Sequence, residues 1–250
     1  MEKEQKIDRR KKYILVIDIE TANILDDAIA YDIGFAVADK KGHIYEKHSY
    51  MVSELFFDYK DLLNTAYYKE KIPQYWEDYK NGKRTIASIL TIKKVVCEVV
   101  KRYKIKDVYA YNAFFDKTGL NRTIRYLTKS RARFFFPFGM NYHCIWHIAC
   151  QTLFQQKTFF KIALLNEWVS KNDNVRTSAE IAQRYITKDY NFEEKHTGLE
   201  DVEIETQILA KCYSQHKKVD TSIKRNCWQL PQKEFKEFKK NQGKTLDKLK

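Results

Sequence analysis

At 250 residues, 44% of them hydrophobic and 14% aromatic, the chain is long enough to bury an ample core and too apolar to be a disordered polymer. Its 46 Lys and Arg against 33 Asp and Glu leave a formal net charge of +13, which favours a polyanionic partner. No aliphatic run is long enough to span a bilayer and no secretory apolar segment follows the charged start. The five cysteines form no CxxC pair, so a cytoplasmic protein with free thiols and no membrane association is expected.

Residues 1–12 are charged and read as a lead-in to a domain spanning 13–212. Tyr13-Ile14-Leu15-Val16-Ile17-Asp18-Ile19-Glu20-Thr21 reads as a strand buried on both faces, because its aliphatics are continuous and mostly β-branched. Asp18 and Glu20, two apart, point to one face at its end. Ionised carboxylates crowded there repel and lose hydration, and a cation resolves both problems. The plain alternative is a strand that ends in water with both acids solvated. After a polar loop at 21–27, residues 31–39 read as a second strand, 40–42 as a turn and 43–52 as a third strand, an antiparallel meander.

Residues 54–80 look helical with a break at Pro73. The spacing of Ile86, Ile89, Leu90, Val96, Val99 and Val100 predicts a helix over 85–103. A short fourth strand follows at 107–111 and a helix at 114–128. Residues 131–140 form an apolar loop, whose ring cluster from Phe134 to Phe138 reads as core packing ahead of base stacking. Residues 142–154 read as a strand running into a helix. Thr177-Ser178-Ala179-Glu180 has a capping-box pattern for a helix reaching Ile186, and a final helix starts near Gly198 with Leu199, Val202, Ile208 and Leu209 on one face.

Beyond Cys212 the composition changes. Residues 213–250 carry eleven Lys and Arg against four Asp and Glu, a net of +7, with aromatics at Trp228, Phe235 and Phe238. Two readings stand level: a basic tail that tracks a nucleic-acid backbone and stacks on bases, or an amphipathic helix that docks through Phe235 and Phe238. His143, Cys144, His147 and Cys150 could be read as a zinc site. A strand-to-helix transition would point some of these ligands apart, so buried thiols and imidazoles are the expectation.

Two further acids complete a pattern. Asp116, in Tyr111-Asn112-Ala113-Phe114-Phe115-Asp116, falls at a helix start, where alone it would only complement the helix dipole. His196 precedes Asp201 by five positions in His196-Thr197-Gly198-Leu199-Glu200-Asp201, with Glu203 and Glu205 following as acids suited to a first helical turn. Together, D-x-E on the first strand, N-A-x-F-D after the fourth and H-x4-D entering a late helix resemble, in order and separation, the three motifs of the DEDDh (DnaQ-like) 3′→5′ exonucleases. The likeness covers about residues 13–212 and extends to the flavour of small phage-encoded members.

The resemblance implies an α/β, ribonuclease H-like fold. Its mixed five-stranded sheet would have three antiparallel strands followed by two parallel to the first, flanked by helices on both sides. It implies two divalent ions, Mg²⁺ or Mn²⁺, held by Asp18, Glu20, Asp116 and Asp201. In that scheme Asp18 bridges the ions, and Glu20 and Asp201 complete the first site while Asp116 serves the second. His196 is the general base, and Ile19, Thr21 and Asn112 meet the terminal nucleotide. The implied substrate is single-stranded nucleic acid with a free 3′ end, DNA favoured over RNA, in the cytoplasm or a host's cytoplasm. Two alternatives are a polymerase-associated proofreading subunit, partnered by a polymerase or another replication protein, and a non-cleaving nucleic-acid-binding protein on the same fold. The chain departs from many relatives in having Ala22-Asn23 where a glycine follows D-x-E-T.

Overall fold

The computed structural model describes residues 7–23, 27–129, 131 and 133–247, the last six without their side chains. Half of the expected lead-in, three residues of the loop after the first strand, Ser130, one residue of the aromatic loop and the last three of the chain lie outside them.

Strands β1 (Ile14–Ala22), β2 (Ile29–Ala38) and β3 (Ile44–Val52) form the antiparallel meander. β5 (Asp107–Ala110) lies parallel to β1, and β6 (Asn141–Cys144) lies parallel to β5. These directions are those expected of a ribonuclease H-like α/β fold. The sheet has six strands where five were expected: β4 (Thr85–Ala87) adds to the β3 edge in parallel, giving the order β4-β3-β2-β1-β5-β6.

β1 explains the rest of the architecture. Alternation sends Leu15, Ile17 and Ile19 into one core and Ile14 and Val16 into another, so the sheet is covered on both faces. The first core is built with α1 (Ser53–Phe57), α3 (Ile72–Lys80), α4 (Ile89–Tyr103) and α5 (Ala113–Leu127), and a short α2 (Lys60–Leu63) lies at its margin. The second is built with α6 (Ile145–Gln151), α7 (Lys157–Leu165), α8 (Ala179–Thr187), α9 (Gly198–Tyr213) and α10 (Leu230–Asp247). Among the described residues no helix is long and apolar enough to cross a membrane.

Several local expectations need correction. The helical spacing over 85–103 overran its start: Ile86 happens to fit the period, yet Thr85–Ala87 pairs with β3 and the helix begins after Ser88, whose Oγ accepts the Thr91 N–H. Pro73 does not break a helix but sits in the first turn of α3, where its missing N–H has no partner to lose. α8 is capped by Ser178, which accepts the Ile181 N–H, and not by Thr177, whose Oγ1 accepts from the Trp146 indole. The aromatic loop splits its rings: Phe135 and Phe136 are buried, whereas Phe134 and Phe138 are exposed.

The segment beyond Cys212 packs on the second core. The Thr221 carbonyl accepts the Cys144 N–H at 3.0 Å at the end of β6. Phe235 is fully buried, with Phe160 at 5.5 Å between ring centroids, and Phe238 meets the same ring at 5.7 Å. Of the two readings of this segment, the docking helix is the arrangement observed.

Candidate active site

The carboxyl ends of the parallel strands β1, β5 and β6 open onto one cleft of about 750 Å³, the usual place for a site in an open α/β sheet. Asp18 and Glu20 reach it from the end of β1, where the pairing with β2 slips between Glu20 and Thr21. Such an irregularity beside a site re-aims side chains that a regular strand would hold in register. Asn112 and Asp116 arrive from the β5–α5 junction and the first turn of α5, and His196 and Asp201 from the entry to α9. Ile19 also lines the cleft; Thr21 does not. The residues singled out in three distant stretches of sequence thus meet.

Two glycines make that meeting sterically feasible. A Cβ on Gly34 of β2 would lie 2.1 Å from the Gly198 carbonyl carbon, and one on Gly198 would lie 2.6 Å from the Gly34 nitrogen. The start of α9 therefore rests directly on the sheet. It is pinned there by the Gly198 N–H, which donates to Asp32 Oδ2 at 2.9 Å. Asp32 is itself fully buried and accepts from Tyr75 Oη at 2.8 Å and from the Arg84 guanidinium at 3.2 Å. Arg84 extends the clamp to Glu200 in the first turn of α9, at 3.2 Å. His196, just before the helix, takes a left-handed backbone (φ 52°), an uncommon conformation for a non-glycine residue that the fixed helix start sustains.

The cleft acids are compensated far less fully. Burial, reinforced by Glu205, Asp116, Asp201 and Glu20, pushes the Asp18 carboxyl well above the usual range. Burial, Asp201 and Asp32 push Glu20 up to about 9. Asp116 rises to about 8 through burial, although its own N–H and that of Ile19 donate to it. Asp201 rises to about 8 through burial and the charges of Glu194 and Glu200. Among the described residues, Asp201 Oδ1 and Glu205 Oε2 are buried with no hydrogen-bond partner. Glu20, His196 and Asp201 can each bring a donor atom within 4.8 Å of the others. Hard oxygen donors, crowded in one cleft and not fully partnered, fit a small divalent cation.

His196 differs in sign. Burial and the nearby Lys71 hold its imidazole below the ordinary range, so the ring is neutral at neutral pH. Tyr68 stacks on it at 4.1 Å with the planes 10° apart, and its Nδ1 lies 3.8 Å from Glu194 Oε2. Lys71 bonds to the Lys195 carbonyl, tying the segment before α3 to the loop that carries the histidine.

Several residues of the cleft escaped the sequence reading. Glu194 and Glu205 sit among charged runs that resemble solvated surface, and Tyr68 lies in a Tyr-rich helical stretch. The wall facing the acids combines Trp146, Trp228 and the strip from Asn174 to Ala179. Trp228 was visible as an aromatic in a basic segment, but its place here depends on Gln232, which grips the Val175 main chain through both amide atoms, at 2.8 and 3.1 Å. Of the four residues that suggested zinc, Cys150 is fully buried in the second core and the other three have other partners. His143 bonds Thr221 Oγ1 and Asp107, His147 bonds the Ser222 carbonyl and Cys144 donates to the Tyr111 carbonyl.

No family model matches the chain, and no curated protein matches it. Among solved structures it is similar to Pop2p of S. pombe in its Mg²⁺- and Mn²⁺-bound form. The two share 10% identity over 81% of this chain and 83% of the other, with a TM-score of 0.44, and so distant a likeness carries no functional argument.

Proposed function

We propose that the protein is a metal-dependent 3′→5′ exonuclease acting on single-stranded nucleic acid, with DNA favoured over RNA. The observation that carries this reading is the convergence of Asp18, Glu20, Asp116 and Asp201, from three separate motifs, in one cleft where buried acid oxygens lack partners. A non-cleaving binding protein has no use for such a group, because each added buried carboxylate raises the repulsion that folding must overcome.

Asp18, Glu20, Asp116 and Asp201 would hold two divalent cations, Mg²⁺ or Mn²⁺. When bound, such a pair activates a water and stabilises the leaving oxygen of an in-line phosphoryl displacement. His196 accepts the proton of the attacking water. Its neutral state suits it to that role. The Tyr68 ring restricts the imidazole to one orientation. The main chain at Ile19 and the Asn112 amide would meet the terminal nucleotide. Arg176, exposed on the far wall, suits a phosphate, and the rings of Trp146 and Trp228 suit bases. In this role the basic C-terminal segment helps to build the cleft through Trp228.

Incubation with 5′-labelled single-stranded DNA and RNA in Mg²⁺ tests the proposal. The expected product is a ladder shortened from the 3′ end and abolished by EDTA. Scission of a closed circular single strand, or full activity in EDTA, would overturn it.

A further inference from the structure

Glu205 lies on α9 one turn beyond Asp201, a spacing that puts both side chains on the same face of the helix. It is 2% exposed and lines the cleft. The Tyr111 N–H donates to its carboxylate, while Oε2 is buried with no partner. The group is thus anchored from the β5–α5 junction and leaves one buried oxygen unclaimed. Asp18, Asp116, Asp201 and Glu194 are charges that it faces. Among the described residues no cationic side chain pairs with it, in contrast to Asp32, whose oxygens are taken up by Arg84, Tyr75 and Gly198.

A carboxylate buried for packing alone would be expected to satisfy both oxygens, since an unsatisfied buried acceptor costs about 1–3 kcal/mol and more when charged. Anchoring one oxygen while leaving the other open is instead how a ligating acid is oriented. We infer that Glu205 is a fifth carboxylate of the cation site and would add its unpartnered oxygen to those of the four motif acids. Nothing in the sequence motifs assigns it this role. The inference rests on the metal-dependent reading above and adds to it one ligand and a specific dependence of metal affinity on residue 205.

The test is Mn²⁺ binding to the metal-free full-length protein, followed by the loss of the free-ion paramagnetic resonance signal, in the parent and in Glu205→Gln. Glutamine keeps the shape and the acceptor for Tyr111 but removes the anionic oxygen. The expected result is at least one Mn²⁺ site weakened by as much as or more than the roughly 10–100-fold that outer-shell partners cost, with an unchanged circular dichroism spectrum. Should Glu205→Gln fail to fold, Glu205→Asp draws the carboxylate back by one methylene and should weaken the same site. Parent-like Mn²⁺ binding in whichever variant folds would overturn the role of Glu205 and leave the exonuclease reading intact. A parent that binds no Mn²⁺ would overturn both.

Discussion

Asp32 and Glu205 are equally hidden from water, at 0% and 2% exposure, yet their surroundings are opposite. Asp32 accepts from Arg84, from Tyr75 and from the Gly198 main chain, and through them it joins β2, the α3–β4 connection and the start of α9. Burial still raises its pKa, but Arg84, the Gly198 N–H and Tyr75 all pull the other way. Glu205 and the acids around it have neither cation nor full hydrogen bonding, and burial and mutual repulsion raise their pKa values together. The difference teaches how to tell a structural acid from a chemical one at equal burial. The first brings its partners with it, and the second is left waiting for something that is not protein.

Breaking each side of this contrast should have opposite consequences. Asp18→Ala or Glu20→Ala should remove several kcal/mol of transition-state stabilisation, a loss of about a thousandfold or more in turnover of a single-stranded oligonucleotide. Folding of the metal-free protein should survive, because one source of repulsion is gone. Arg84→Ala should do the reverse to stability. It strands a buried carboxylate and should cost about 3–5 kcal/mol in urea-induced unfolding. Since Arg84 also holds Glu200, the entry to α9 should loosen with it and activity should fall as well.

A smaller effect sharpens the same distinction. Asp201→Asn, measured on metal-free protein at pH 8, should leave stability within about 1 kcal/mol of the parent or raise it, since the amide removes a charge that nothing compensates. Asp32→Asn should cost about 1–3 kcal/mol, because an amide cannot serve Arg84, Tyr75 and Gly198 as the carboxylate does. Equal losses from the two substitutions would erase the distinction.

The legibility of the molecule follows the same division. Asp18, Glu20, Asp116, His196 and Asp201 stand out because each sits where an apolar strand or a helix start makes an acid or imidazole conspicuous, and because their order and separations repeat a known pattern. The meander was legible from alternation and a Gly42 turn. Glu205 was hidden by Glu200 and Glu203, which make it look like one more acid in a solvated first turn. The Asp32–Arg84 pair spans 52 residues, and no local rule connects them. β4 was lost because three residues at a sheet edge cannot compete with the helical period that follows them. Trp228 was noticed, but only the packing of α10 against the Val175 strip shows that its ring belongs to the cleft. The shift from Ala22 to a left-handed Asn23 (φ 68°) explains how the loop after D-x-E-T turns without glycine, since Asn tolerates that conformation.

The most direct test of the central claim, that the cleft acids are built for a cation, is thermal unfolding of metal-free protein against pH with and without Mg²⁺. Glu20 is pushed up to about 9 and Asp116 and Asp201 to about 8, against ordinary values of 4.5 and 3.8. A group whose pKa is raised on folding stabilises fully below its unfolded value and loses that contribution as pH climbs to its folded value. Without cation, stability from these groups should therefore fall steadily between about pH 4 and pH 9. Mg²⁺ binds where the protons leave, so its stabilising effect should be small at pH 5 and large at pH 8.5, reaching about 2.7 kcal/mol at a hundredfold excess over Kd. A melting temperature that Mg²⁺ and Mn²⁺ leave unmoved at both pH values would contradict the account.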